Sequence, residues 1–278
     1  MTVSVIIPAY NAQATIQRCV ESVLTQSYRY IHVIVVNDGS TDNTSGAIPR
    51  TDERISVVHT LNRGVSVARN TGLEGTNGEF IAFCDADDYL EPDAIERLVK
   101  AMDGADMAVG SFRKFGNFEE IIRSPTGTMN TKHVAEYVMG NLSNPRSNQI
   151  FSGCWAKLFK RYLIGRFPDL TTAEDMAFNF DYLRRCKSVK FISDVVYNNL
   201  KRNGSLTTSF DEDNKSSLFG FLEGLKYVKR FLTPFHPEGT LEDALDRSKV
   251  YHSMLYYMRI CAQDGGSMRD VLRKLYPS

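Results

Sequence analysis

Residues 1–105 predict an open α/β fold with a mostly parallel sheet. Short β-branched runs alternate with stretches of helical periodicity, one run is apolar almost throughout, and each run gives out into polar turn formers. Val3-Ser4-Val5-Ile6-Ile7 reads as a first strand that stops at Pro8, which lacks a ladder donor. After a loop, Ile16, Cys19, Val20, Val23 and Leu24 recur at helical spacing while Gln17, Arg18 and Glu21 face away. Ile31 to Val36 is broken only by His32, the pattern of a strand buried on both faces, and Asn37 to Asp42 are turn formers. Ile55-Ser56-Val57-Val58 is a third strand, Val65 to Gly72 opens a helix, and Phe80 to Cys84 is a fourth strand. A helix follows with Pro92 in its first turn and Ile95, Leu98, Val99 and Met102 on one face.

Beyond residue 105 the pattern loosens. Met107 to Phe112 and Val189 to Ile192 read as strands, with Ala135–Met139 and Ala177–Arg184 helical between them. The last sixty or so residues read as helices: Leu218, Phe219, Phe221, Leu222, Leu225 and Val228 form one apolar stripe, and Met254, Leu255, Met258 and Cys261 another. Three parts are expected: residues 1–105 and 106–212 as halves of one domain, and residues 213–278 as a helical extension.

Composition excludes several classes. Lys plus Arg and Asp plus Glu both total 33 in 278 residues, which gives no electrostatic footprint for nucleic acid. No run approaches the ~20 apolar residues of a membrane span, and Met1 to Pro8 lack a secretory pattern, so the expectation is a cytoplasmic chain. Five scattered cysteines without C-x-x-C spacing suggest core residues in a reducing compartment.

The chemistry concentrates where strands end. Asp85, Asp87 and Asp88 emerge together behind Phe80–Cys84, and crowded carboxylates call for a compensating cation. A D-x-D pair there suits Mg2+ or Mn2+ held against a diphosphate; it equally suits a solvated acidic turn. Ligands of open α/β sheets bind beyond the strands' carboxyl ends, where this chain sets Tyr10 and Asn11, Asp38, and Asp85 with Asp87. Asp38 could accept hydrogen bonds from an imide or ribose. Gly64, Ser66, Arg69 and Asn70 add a permissive loop and a cation that could face phosphate, although Asn11, Ser66 and Asn70 taken singly read as turn or helix-end chemistry. The five histidines show no paired metal spacing.

Five ordered segments carry a family resemblance: Val5 to Asn11, Glu21 to Ser27, Val36 to Asp42, Gly64 to Asn70 and Asp85 to Asp88. It continues more weakly through Trp155–Phe159, Ala173–Phe178 and Tyr197–Ser205 and does not reach the last helices. Together these segments resemble the family-2 glycosyltransferases, which have the GT-A fold. The resemblance implies a metal-dependent, inverting transfer of sugar from a UDP-sugar to a hydroxyl of a glycan or lipid-linked glycan, as in bacterial surface-polysaccharide synthesis.

By that resemblance Pro8, Tyr10, Asn11, Asp38, Arg69, Asp85, Ala86 and Arg202 line the nucleotide-sugar site. Asp38 reads the base, Asp85 contacts ribose or orients the metal's water, and Asp87 holds Mn2+ or Mg2+. Asp175 is the catalytic base, and Glu174 and Trp155 bind the acceptor. Each has a plainer alternative: acids of a helix's first turn for Glu174-Asp175, a core ring for Trp155, a solvated pair for Lys201-Arg202. A haloacid dehalogenase-type phosphatase also uses D-x-D, but wants Thr or Val where Tyr89 stands; a sugar-phosphate nucleotidylyltransferase would need a Gly-rich, Arg-containing N-terminal loop. A non-catalytic sugar-nucleotide-binding or scaffold module is the third competitor. The C-terminal helices either pack on the domain, dock on the inner face of a membrane, or join a second subunit.

Overall fold

The computed structural model describes residues 1–116, 119–143, 150–170, 172–200 and 214–263. Its first part runs β1 (Val3–Ala9), α1 (Ile16–Leu24), β2 (Ile31–Asp38), a short α2 (Thr44–Ala47), β3 (Ile55–Thr60), α3 (Val65–Glu74) and β4 (Phe80–Phe83). Then come β5 (Tyr89–Leu90), α4 (Ala94–Ala101), β6 (Met107–Phe115), β7 (Glu120–Ile122), β8 (Gly127–Asn130), α5 (Thr131–Ser143) and β9 (Lys157–Lys160). The described chain closes with α6 (Glu174–Leu183), β10 (Ser188–Leu200), α7 (Asn214–Leu232) and α8 (Glu238–Gln263).

One sheet carries the order β3-β2-β1-β4-β9-β6-β10-β5, with β7 added on β6 and β8 on β10. β3, β2, β1 and β4 are parallel; β9 is antiparallel to both β4 and β6. The chain winds from β1 outward to β3 and then returns to lay β4 on the other flank of β1. The switch point between β1 and β4 therefore opens a crevice at the carboxyl ends of those strands.

Burial explains the apolar runs. Ile34 and Val36 pack with Ala68 of α3, while Val33 and Val35 join the larger core on the opposite face, so successive residues of β2 are buried on both sides. Cys19, Cys84, Cys154 and Cys186 are buried.

Several elements depart from the sequence expectation. β1 continues through Pro8 to Ala9, and β2 through Asn37 and Asp38. Pro8 costs no ladder bond because Ile6, two residues earlier, turns its carbonyl to Cys84, and the pairing of β4 with β1 has ended by the next residue on that side. Pro92 sits ahead of the helix cap Asp93, in a turn, rather than inside α4. β10 is far longer than Val189–Ile192, with irregular register around Val195. β5, β7, β8 and β9 were not expected; none has a long enough run to show a period.

The Glu21–Ser27 segment works as a brace. Buried Gln26 donates from Nε2 to the carbonyls of Ser22 (2.9 Å) and Glu91 (2.6 Å), and its Oε1 accepts from the Ile95 amide at 2.9 Å. Ser22 Oγ accepts from the Leu90 amide, and Ser27 donates its amide to the Pro92 carbonyl. The end of α1 thus holds the chain that leaves the Asp85–Asp88 turn and supplies a missing partner at the start of α4.

The C-terminal helices share the core of the sheet: Leu225, Val228, Phe231, Leu232, Leu241, Ala244 and Leu245 are all buried in it. Not every stripe residue is covered, since Phe219 and Met254 are exposed. The side chains of Leu255, Met258 and Cys261 lie outside the described residues. No helix among the described residues is long and apolar enough to cross a membrane.

Replacing Gln26 by Leu keeps the volume and removes its three hydrogen bonds. The urea midpoint should fall by the equivalent of about 1–3 kcal/mol, the cost of stranding buried backbone partners. A loss under about 0.5 kcal/mol would show that the brace contributes little.

Candidate active site

Arg69 organises the crevice. It lies on α3, 3% exposed, and its terminal nitrogens reach three carboxylates: Nη2 to Asp85 Oδ1 at 2.9 Å, and Nη1 to Glu174 Oε1 at 2.8 Å and to Asp175 Oδ1 at 2.7 Å. The ring of Phe167 covers the guanidinium, its centroid 5.2 Å away. Next to it Asn70 accepts from the Phe167 amide at 2.8 Å and donates to the Phe167 carbonyl at 3.0 Å. One helical turn thereby draws Phe167 and the Glu174-Asp175 pair onto the end of β4. The expectation that Arg69 faces phosphate is corrected by this geometry, because burial and three carboxylates occupy the guanidinium.

Glu174 and Asp175 form the first turn of α6, and Ala173 before them is left-handed at φ 61°. A non-glycine residue there carries strain on the order of 1–3 kcal/mol, which the surrounding packing must hold. α7 supplies that packing. A Cβ on Gly220 would lie 2.7 Å from the Thr172 carbonyl oxygen, and one on Gly224 would lie 2.5 Å from Met176 Cε and 3.1 Å from Ala173 Cβ. Two glycines one helical turn apart let α7 press on the segment that delivers the acids.

Electrostatics single out Asp175. Burial is the largest influence and pushes its carboxyl up to about 7; Arg69 opposes this, Glu174 and Asp85 add to it, and a hydrogen bond from the buried Cys154 thiol lowers it. A carboxylate poised near neutrality suits proton abstraction.

Asp88 has a different task. Fully buried, it accepts from Tyr197 Oη (2.7 Å) and Asn199 Nδ2 (2.9 Å) at one oxygen and from the Leu200 amide (2.7 Å) at the other. Tyr197 Oη also accepts from the Asp85 amide at 3.0 Å. Burial, with Asp85 and Asp87 beside it, pushes Asp88 up to about 8 against those donors. The acid next to D-x-D therefore fastens the turn to β10.

Asp87 is half-buried on the same turn, and Arg18 secures its carbonyl at 2.8 Å while lying over the Tyr89 ring. Among the described residues no group of three or more His, Cys, Asp or Glu is arranged to hold a metal ion. That donor set still fits Mg2+ or Mn2+, which are commonly bound through one or two carboxylates, with substrate phosphates and water completing the shell. Asp85, Glu174 and Asp175 set three carboxyl groups against one buried guanidinium, a field that favours a further cation.

The remaining expected residues distribute unevenly. Asp38, 3% exposed, accepts from Thr60 Oγ1 (3.0 Å) and from the amides of Arg63 (3.1 Å) and Gly64 (2.8 Å), so it shapes the loop into α3. Tyr10 is 49% exposed at the crevice rim, and Asn11, at φ 47°, ties its loop to the Thr41 amide. Pro8 and Ala86 are buried beneath. Trp155 is a core ring: it stacks on Tyr197 at 5.0 Å and 9° and meets Phe112 edge-on, so one face is taken and a sugar-stacking wall is not what the packing supplies. Arg202 lies outside the described residues.

Sequence reading missed the joining roles of Asp88, Tyr197 and Cys154, and the buried Lys157. The one available signal was a lysine inside the otherwise apolar Trp155–Phe159.

Asp175, raised when folded, binds more protons folded than unfolded between 3.8 and about 7, so it subtracts stability as pH rises through that window. The melting temperature of metal-free protein should fall between about pH 4 and pH 7, and Asp175→Asn, neutral throughout, should remove part of that slope. An unchanged slope in the variant would place the raised carboxyl elsewhere.

Comparison with known proteins bears on this site. GlyA, a glycosyltransferase of Streptococcus pneumoniae, is 33% identical over 223 residues, covering 76% of this chain and 32% of its own length. EpsJ, an uncharacterized glycosyltransferase of Bacillus subtilis, is 31% identical over 216 residues, covering 74% and 62%. The chain thus spans only 32% and 62% of the length of these two relatives. The crystal structure of S. aureus TarS 1–349 in complex with UDP-GlcNAc superimposes with a TM-score of 0.66 at 21% identity, over 89% of this chain and 71% of that one, which identifies the fold as GT-A. Residues 4–166, more than half of the chain, match the model of Glycosyl transferase family 2, and the chain belongs to that family.

Proposed function

We propose that this protein transfers a sugar, with inversion, from a UDP-sugar to a hydroxyl of a glycan or lipid-linked glycan in bacterial surface-polysaccharide synthesis, and that it requires a divalent metal. The observation that carries this reading is the Arg69 junction, which brings Glu174 and Asp175 to the end of β4 beside Asp85. Base and donor pocket then lie within one crevice, as a single displacement demands.

In this mechanism the nucleotide enters at the carboxyl ends of β1 and β2. Tyr10 offers an exposed ring, and the loop shaped by Asp38 presents an edge to the base. Asp85, with Arg69 on one oxygen, would have the other available for the ribose or for the water shell of the metal. Asp87 would hold Mn2+ or Mg2+, whose contribution is to offset charge developing on the departing diphosphate. Asp175 takes the proton of the acceptor hydroxyl as it attacks the anomeric carbon, and Glu174 aligns that hydroxyl. Proton acceptance needs the ionised acid, so transfer should rise with pH through about 7. The work is placed in the cytoplasm, at the inner face of the membrane when the acceptor is lipid-linked.

UDP release from a panel of UDP-sugars, with Mn2+ or Mg2+ and with and without glycan acceptors, tests the reading; release from no donor in any combination would end it. Within that assay Asp175→Asn should retain nucleotide binding while transfer falls ~10²–10⁴-fold, the usual contribution of a positioned base. A variant that keeps more than about a tenth of the wild-type rate would remove Asp175 from that role.

Asp87→Asn should keep the fold and lose metal-dependent UDP binding. At UDP and metal about 100 times the dissociation constant, wild type gains ~2.7 kcal/mol of stability through linkage. The same metal-dependent thermal shift in the variant would show that another residue holds the ion.

A further inference from the structure

Helix α7 carries glycine at two interior positions where alanine would form the better helix, Gly220 and Gly224, one turn apart and both buried. Both face the segment that delivers the acids. A Cβ on Gly220 would stand 2.1 Å from Thr172 Oγ1, 2.7 Å from the Thr172 carbonyl oxygen and 3.2 Å from the carbonyl carbon, so the contact is backbone against backbone. One on Gly224 would meet Met176 Cε at 2.5 Å, the free end of a flexible side chain, and Ala173 Cβ at 3.1 Å. Gly140 in α5 gives the contrast, since nothing lies within 4 Å of the place its Cβ would take.

Which partner would yield follows from how each is held. Behind its glycines α7 is fixed: Leu225, Val228, Phe231 and Leu232 are buried in the core, Phe231 meets Phe180 at 5.6 Å, and the Phe221 ring stacks on His252 of α8 at 4.0 Å. The start of α6 has no side-chain cap, and left-handed Ala173 depends on outside support. Arg69 of α3 draws Glu174 and Asp175 toward the end of β4, at 2.8 Å and 2.7 Å, while α7 bears on the backbone just before them.

We infer that Gly220, backed by Gly224, is a positioning residue for the acid pair: the bare face of α7 sets where the Thr172–Ala173 backbone lies, and so where Asp175 stands relative to the donor. The inference rests on the reading of Asp175 as the base. It gives the first C-terminal helix a part in the transfer step without any contact to the nucleotide. A side chain at position 220 must displace the Thr172 carbonyl, and a shift of about 1 Å at a reacting group can cost ~10²-fold in rate.

The test compares Gly220→Ala with Gly140→Ala in the full chain, reading kcat for sugar transfer per UDP-binding site, UDP affinity in the presence of Mn2+, and melting temperature. Gly140→Ala should leave kcat unchanged and raise the melting temperature, the ordinary effect of alanine at an open helical position. Gly220→Ala should lose ~10–10²-fold in kcat, with UDP affinity and donor KM within about twofold of wild type. Gly224→Ala should lose about fivefold, because Met176 can swing aside, and adding Met176→Leu, which lacks the Cε, should restore the rate. This second pair decides the matter if Gly220→Ala does not fold. A kcat per UDP site within about twofold of wild type, or UDP affinity falling in step with kcat, would reduce the contact to ordinary packing and overturn the inference. Failure of the underlying reading looks different: Asp175→Asn would still transfer sugar.

Discussion

A single buried guanidinium holds this molecule's two halves in working order. Arg69 belongs to the helix that follows β3, yet the carboxylates it gathers come from the end of β4 and from α6, more than a hundred residues later in the chain. Burying a charge is costly unless it is paired or hydrogen-bonded, so helix, strand end and acidic turn must assemble together. The pairing is also incomplete. Burial above all raises Asp175 toward neutrality, Glu174 and Asp85 add to it, and three carboxyl groups sharing one cation leave the crevice attractive to a further positive charge.

Around that junction, local strain is contained by packing from distant parts of the chain. Ala173 is left-handed where the acids begin, and α7 presses on it through two glycines; Ala156 is left-handed where the Cys154 turn ends. The C-terminal helices therefore bear on the site although they contribute none of its acids. Asp88 does similar work on the other side, fastening the D-x-D turn to the end of β10 through Tyr197, Asn199 and Leu200. The motifs of this chain divide between more accessible groups at strand ends, such as Tyr10 and Asp87, and groups that hold those turns in place, such as Gln26, Asn70 and Asp88.

Legibility in the sequence followed the range of the interactions. β1, β2, β3 and β4 were readable because a strand buried on both faces writes itself as a continuous apolar run, and the helices between them write a period near 3.6. The short strands β5, β7, β8 and β9 were not, since they exist through pairing with β6, β10 and β4 rather than through any preference of their own residues. Pro8 misled for a related reason: whether a missing amide matters depends on which neighbour stands opposite, and that is a property of the sheet.

The sequence by itself determined the α/β class, the crevice-lining strand ends and the ordered motifs that mark the family, because these are written in local periodicity and in residue types at fixed spacing. Only the tertiary structure decided what those residues do. Arg69 turned from a phosphate-facing cation into a buried clamp, Trp155 into a core ring, and Asp88 into a tie to β10, since each change depends on partners brought from far along the chain. Charge and pKa are set by burial and by neighbours within a few ångströms, and neither is encoded in the order of residues until the chain has folded.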